Sequence, residues 1–128
     1  MVLLTKGTKM QTHLKEKFSY YETINYAGGK LTLALVKTTK GVRAGVAVMQ
    51  AKDLQAGKFS EKIGQEIARG RATKRDLAQG AYEIDGVDLQ SPPKIKSILR
   101  QARLQEKERF GKTVKYRALL EASKLPLT

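Results

Sequence analysis

KLTLALVKT, residues 30–38, decides the fold. Leu31, Leu33 and Leu35 fall on one side of an extended chain, and Thr32, Ala34 and Val36 fall on the other. A period of two with β-branched residues included is the mark of a strand. The run before it, Phe18–Tyr26, puts Phe18, Tyr20, Ile24 and Tyr26 on one face, and Ala27-Gly28-Gly29 supplies the backbone freedom of a tight hairpin. Thr39-Lys40-Gly41 reads as a second turn into Val42–Met49, where Val42, Ala44, Val46 and Val48 share a face. Residues 17–49 are therefore expected to form an antiparallel β-meander.

Beyond residue 57 the period becomes helical. Ser60 suits an N-cap, because its hydroxyl accepts a free N–H of the first turn, and Glu61 suits the positive end of the helix dipole. Ile63, Gly64, Ile67 and Ala68 then face one way, in a helix expected within residues 58–79 and ending by Gly80. Residues 80–91 form an acidic connector with room for one short strand around Tyr82–Val87. Ser91-Pro92-Pro93 is a helix start signal, and Ile95, Ile98, Leu99 and Ala102 follow the spacing of an apolar face. Gly111 stops that helix, and Val114–Ser123 forms the last one, within a basic helical region over 92–123. The expected class is α+β: a single domain with a three- to four-stranded antiparallel sheet followed by helices packed on one face.

Composition narrows the functional classes. Among 128 residues, 25 Lys and Arg stand against 12 Asp and Glu, a net charge of +13. Such a field attracts polyanions whatever the fold. With no Cys and one His (His13), thiolate metal sites, histidine metal cages and Ser-His-Asp triads are out of reach. The carboxylate pairs Asp85 and Asp88 or Glu106 and Glu108 bring no third metal ligand, and no cofactor is implied. Val2-Leu3-Leu4 is too short for a signal or spanning segment, so a cytoplasmic protein without a membrane partner is expected.

The charge is also unevenly placed. Residues 1–52 carry nine basic and two acidic side chains, residues 69–75 add four basic ones, residues 76–90 hold only acidic ones, and residues 94–117 hold nine basic and two acidic. Lys96, Arg100, Arg103 and Lys107 recur at i, i+4, i+7 and i+11, a ridge along about 17 Å of helix at 1.5 Å per residue. The blander reading is a solvated face balanced in part by Glu106 and Glu108. On the sheet, Tyr21 points away from the other aromatics and lies among Lys30, Lys37, Lys40 and Arg43, an interleaving that suits stacked bases and their phosphates. Gly57-Lys58-Phe59-Ser60 opens a helix without being a Walker loop. Arg69 and Arg71, with Lys74 and Arg75 after them, either grip phosphate or pair with Glu66 and Asp76.

Residues 45–72 resemble a pattern of small bacteriophage-encoded proteins, a strand ending in G-[VI]-A, an Asp, then F-x-x-x-x-G-x-x-I-A-x-G-R-A. The matching positions are Gly45, Val46, Ala47, Asp53, Phe59, Gly64, Ile67, Ala68, Gly70, Arg71 and Ala72. The resemblance implies a viral origin and no mechanism. Size and charge are also similar to those of phage single-stranded-DNA-binding proteins, although this chain ends SKLPLT instead of in an acidic tail.

The expected function is non-catalytic, sequence-tolerant binding of nucleic acid, single-stranded DNA before RNA or duplex, by a homo-oligomer. An interaction protein that modulates a host machine such as RNA polymerase, meeting it through Ile84, Val87 and Leu89, is the alternative. A binder of small cyclic-nucleotide signals, with Arg69 and Arg71 in its pocket, is the third reading.

Overall fold

A computed structural model describes residues 20–39, 41–57, 60–74, 79–87, 89 and 93–126. Strands β1 (Tyr20–Tyr26), β2 (Gly29–Thr38) and β3 (Gly41–Gln50) lead into a short helix α1 (Ala51–Gln55) and then α2 (Glu61–Thr73). Strand β4 (Ala81–Ile84), α3 (Ile95–Phe110) and α4 (Val114–Ser123) follow. The sheet is antiparallel throughout, in the order β1-β2-β3-β4, so the meander gains β4 as its fourth strand. The class is α+β, a four-stranded antiparallel sheet followed by helices.

The hairpin sits where its glycines require. Tyr26 pairs with Gly29 across a two-residue connection. Gly29 has φ +151°, and a Cβ there would collide with the Met49 carbonyl of β3. Within β2 every residue from Leu31 to Val36 is buried. A strand covered on both faces reads as an unbroken apolar run, and this one is covered on both.

The two covers differ. Leu31, Leu33, Leu35, Ala44, Val46, Tyr82 and Ile84 form one core with Ile95, Ile98, Leu99 and Ala102 of α3 and Ala118, Leu119 and Ala122 of α4. Helix α2 lies on the opposite face, over β2 and β3. That placement revises the expectation that all helices share one face. The reason is steric: Thr32, Ala34, Gly45 and Ala47 leave that face shallow, and a Cβ at Gly45 would overlap the Ala68 carbonyl. The small stripe of α2, with Ala68 and Ala72 fully buried, therefore makes the contact. Ile63 and Ile67, expected on the same face, stay exposed at its margin, because their bulk would hold the helix off the sheet.

Helix boundaries follow local chemistry. The Ser60 hydroxyl accepts the Ile63 N–H at 3.3 Å, as its position suggests. The helix passes through Gly70 and stops at Thr73, with Lys74 already extended, so it is shorter than the span 58–79. Helix α3 has Lys94 at its N-cap and no side-chain cap; Pro93 thus precedes the helix, while Ser91 and Pro92 lie outside the described residues. Gly111, at φ +84°, ends it, and the Thr113 hydroxyl caps α4 by accepting the Tyr116 N–H at 3.1 Å.

The outer edge of β4 is closed by side chains of α3. Gln105 accepts the Glu83 N–H and donates to the Glu83 carbonyl, and one turn earlier Gln101 does the same for Asp85. Arg109 adds a bond to the Ala81 carbonyl at 2.7 Å. Two carboxamides thus take the place of a neighbouring strand, and an edge that would otherwise invite pairing is satisfied.

Candidate nucleic-acid interface

Helix α3 sorts its side chains by direction. Ile95, Ile98, Leu99, Ala102 and Glu106 face the core. Gln101, Gln105 and Arg109 reach the edge of β4 on one flank. At about 100° per residue, Lys96, Arg100, Arg103 and Lys107 occupy the other flank, away from β4. Lys96, Arg100 and Lys107 are exposed and Arg103 is half-buried, its Nε buried without a hydrogen-bond partner. None of the four makes an ion pair among the described residues. The exposed Lys94, Lys112 and Arg117 stand at the ends of the same helical pair.

Glu106 does not balance this ridge. It is fully buried, and its two oxygens accept the Tyr82 hydroxyl at 2.7 Å and the Thr113 hydroxyl at 2.5 Å. Glu108, two residues on, is exposed, so the pair points apart. The burial of Glu106 was visible in the spacing, since 106 continues 95, 99 and 102. Burial, then the bond to Glu106, push the Tyr82 phenol well above the usual tyrosine range. Arg109 stacks over the Tyr82 ring at 5.3 Å, which completes a polar cluster inside the α3 side of the core.

The remaining cations belong to other surfaces. Lys37 is exposed beside the α3–α4 face of the sheet, whereas Tyr21, Lys30 and Arg43 share the α2 face. Arg43 donates to the Lys74 carbonyl at the end of α2, and its Nε and Nη2 are buried without hydrogen-bond partners. Arg71 donates to the Val46 carbonyl at 2.6 Å and ties α2 to β3. Arg69, two residues earlier, points away from it around the helix, so the two do not converge on one pocket. Phe18, Lys40, Lys58, Phe59, Arg75, Asp76, Asp88 and His13 lie outside the described residues. The layering therefore separates Tyr21, Lys30 and Arg43 from the α3 ridge, while Lys37 lies on the ridge's side of the sheet.

The sheet tyrosines are partly committed. Tyr20 and Tyr26 pack against the core, and the Tyr20 hydroxyl donates to Glu22 at 2.6 Å. That bond, with partial burial, pushes the Tyr20 phenol up to about 12. Ile84 is in the core and Val87 and Leu89 pack against it, so the apolar side chains of the acidic connector are largely used within the fold. A shallow apolar recess instead opens beside α2, bounded by Ile63, Gly64 and Ile67 and by Thr32, Ala47 and Met49 of the sheet.

Among the described residues no group of three His, Asp or Glu could hold a metal ion, and no helix is long and apolar enough to cross a membrane. No family model matches the chain, and neither the curated proteins nor the solved structures contain a match. The fold and this surface define it as an α+β protein with a helix ridge of cations that make no ion pair among the described residues.

Proposed function

We propose that the protein is phage-encoded and binds nucleic acid without catalysis and without reading sequence, single-stranded DNA before RNA or duplex. The observation that carries this reading is the α3 flank: Lys96, Arg100, Arg103 and Lys107 share one side of the helix without ion pairs among the described residues, and Glu106, one of the two carboxylates of α3, is turned into the core. Cations held unpaired along a rigid helix meet successive phosphates and release counterions, so affinity falls steeply as salt rises. The ridge contacts backbone and not base edges, which makes the binding tolerant of sequence.

Charge reversal of two exposed members, Arg100→Glu with Lys107→Glu, tests it by fluorescence anisotropy with a single-stranded oligonucleotide at low salt. Affinity is expected to fall tenfold or more, with the unfolding midpoint little changed because both side chains lie off the apolar stripe. Equal binding by the folded double variant would move the interface to the sheet.

A second reading, contact with a protein partner, is supported by Ile63 and Ile67, which stand exposed over the apolar recess beside α2. A partner captured from nuclease-treated bacterial lysate and lost on Ile67→Glu supports it. Capture unaffected by that change removes this surface from consideration.

A further inference from the structure

Strand β4 begins at Ala81, whereas its neighbour β3 continues to Gln50. The ladder between them ends where the Val46 N–H donates to the Gly80 carbonyl at 2.8 Å. Past that point the sheet has a notch, and side chains from both helical layers enter it. Arg71 arrives from α2 and is fixed by its bond to the Val46 carbonyl. Lys115 arrives from the first turn of α4. Both touch the space over Gly80: a Cβ there would lie 2.8 Å from Arg71 Cδ and 3.2 Å from Lys115 Cε.

We infer that Arg71 and Lys115, brought together over Gly80 at the end of β4, form a binding site for one phosphate group. Two cations held side by side repel, and neither makes an ion pair among the described residues. The adjacent carboxylate, Glu106, spends its hydrogen bonds on Tyr82 and Thr113 and makes no ion pair with either cation, although its charge offsets part of their field. The first turn of α4 contains no acidic residue, so the positive end of its dipole adds to the field. Burial, then the neighbouring Arg71 guanidinium, hold the Lys115 ammonium below the usual lysine range against the opposing pull of the Glu106 carboxylate, and a further anion between the two cations would reduce that cost. One arginine nitrogen is spent on Val46, which fixes the fork and leaves its other N–H groups for a phosphate oxygen. Gly80, having no side chain, lets Arg71 and Lys115 both lie against the end of the strand. The site rests on the nucleic-acid reading only for the source of the phosphate, a strand or a free phosphorylated molecule.

The test is an amide chemical-shift titration of the full chain with inorganic phosphate, chloride making up constant ionic strength, beside salt-series binding of a single-stranded oligonucleotide. Saturating shifts at Gly80, Ala81 and Lys115, absent in Lys115→Gln and kept in Lys115→Arg, are expected. If the phosphate comes from a strand, Lys115→Gln also lowers the salt slope by about 0.7, the value of one single-strand contact; an unchanged slope with saturating shifts assigns the site to a free phosphorylated molecule. Saturating shifts in a wild type that fails to bind DNA leave the site standing and remove the nucleic-acid reading. Shifts that never saturate, or that chloride reproduces, overturn the site even if DNA binds.

Discussion

The two helical layers spend their positive charge differently. On the α2 face, Arg43 and Arg71 donate to the backbone carbonyls of Lys74 and Val46, and the helix sits so close to the sheet that Gly45 admits no side chain. On the other face, α3 fills the core with Ile95, Ile98 and Leu99 and leaves Lys96, Arg100 and Lys107 in solvent. Close packing of small residues gives α2 little apolar area, and Arg71 of α2 with Arg43 of β3 supplies the fixing bonds. Helix α3 is anchored by large aliphatic side chains and needs none of its flank cations for that purpose. Arg43 and Arg71 are thus structural ties on one face, whereas the ridge cations of α3 make no such tie on the other. The contrast predicts that α2 substitutions damage the fold while α3 flank substitutions damage only binding.

The largest effect is expected at Gly45. Gly45→Val pushes α2 off β3 and costs about 3 kcal/mol or more, as overpacking against backbone does; denaturant unfolding measures it. A variant of wild-type stability would show that α2 is not seated where the contrast needs it.

Tyr82→Phe sharpens the other side, where one polar cluster is buried beneath α3. It removes a bond to a fully buried carboxylate and is expected to cost about 1–3 kcal/mol at neutral pH. Its pH profile carries a sign. A phenol whose folded pKa lies above its unfolded value of about 10 contributes fully below that pH and loses its contribution as pH rises further. Wild type therefore loses its advantage over Tyr82→Phe above about pH 10. Lys115, held low, works in the opposite direction and is common to both proteins, so the difference between their unfolding midpoints isolates the phenol.

A smaller effect is expected at the β4 edge. Gln101→Ala with Gln105→Ala returns the Glu83 and Asp85 backbone to solvent at about 1 kcal/mol for each residue. Greater self-association in sedimentation velocity should accompany it, because an uncovered edge pairs with another chain. An unchanged sedimentation profile would mean that the carboxamides only decorate the edge.

How far the sequence foretold this depends on the kind of interaction. The meander, the Ser60 cap, the apolar stripe of α3 and the bounds of α4 are legible because each depends on residues a few positions apart. The choice of face for α2 was not, because it turns on Gly45 meeting Ala68, residues distant in the chain that declare themselves only as small. The small and basic residues over 45–72 gain a packing account at several positions: Gly45, Ala68 and Ala72 form the close contact and Arg71 bonds to Val46. The α3 ridge was visible as spacing. Its isolation from Tyr21, Lys30 and Arg43 came from the sheet lying between them, and the pairing of Arg71 with Lys115 came from where β4 ends. No spacing rule contains either.

The central claim is that the α3 flank, and not the layer across the sheet, carries the polyanion. Its most direct test replaces Lys96, Arg100, Arg103 and Lys107 together by Gln and compares the salt dependence of single-stranded DNA binding with wild type, helicity being checked by circular dichroism. Each cation that neutralises a single-strand phosphate adds about 0.7 to the slope of log affinity against log salt, so removing all four should lower that slope by about 3. A folded quadruple variant with the wild-type slope would contradict the account.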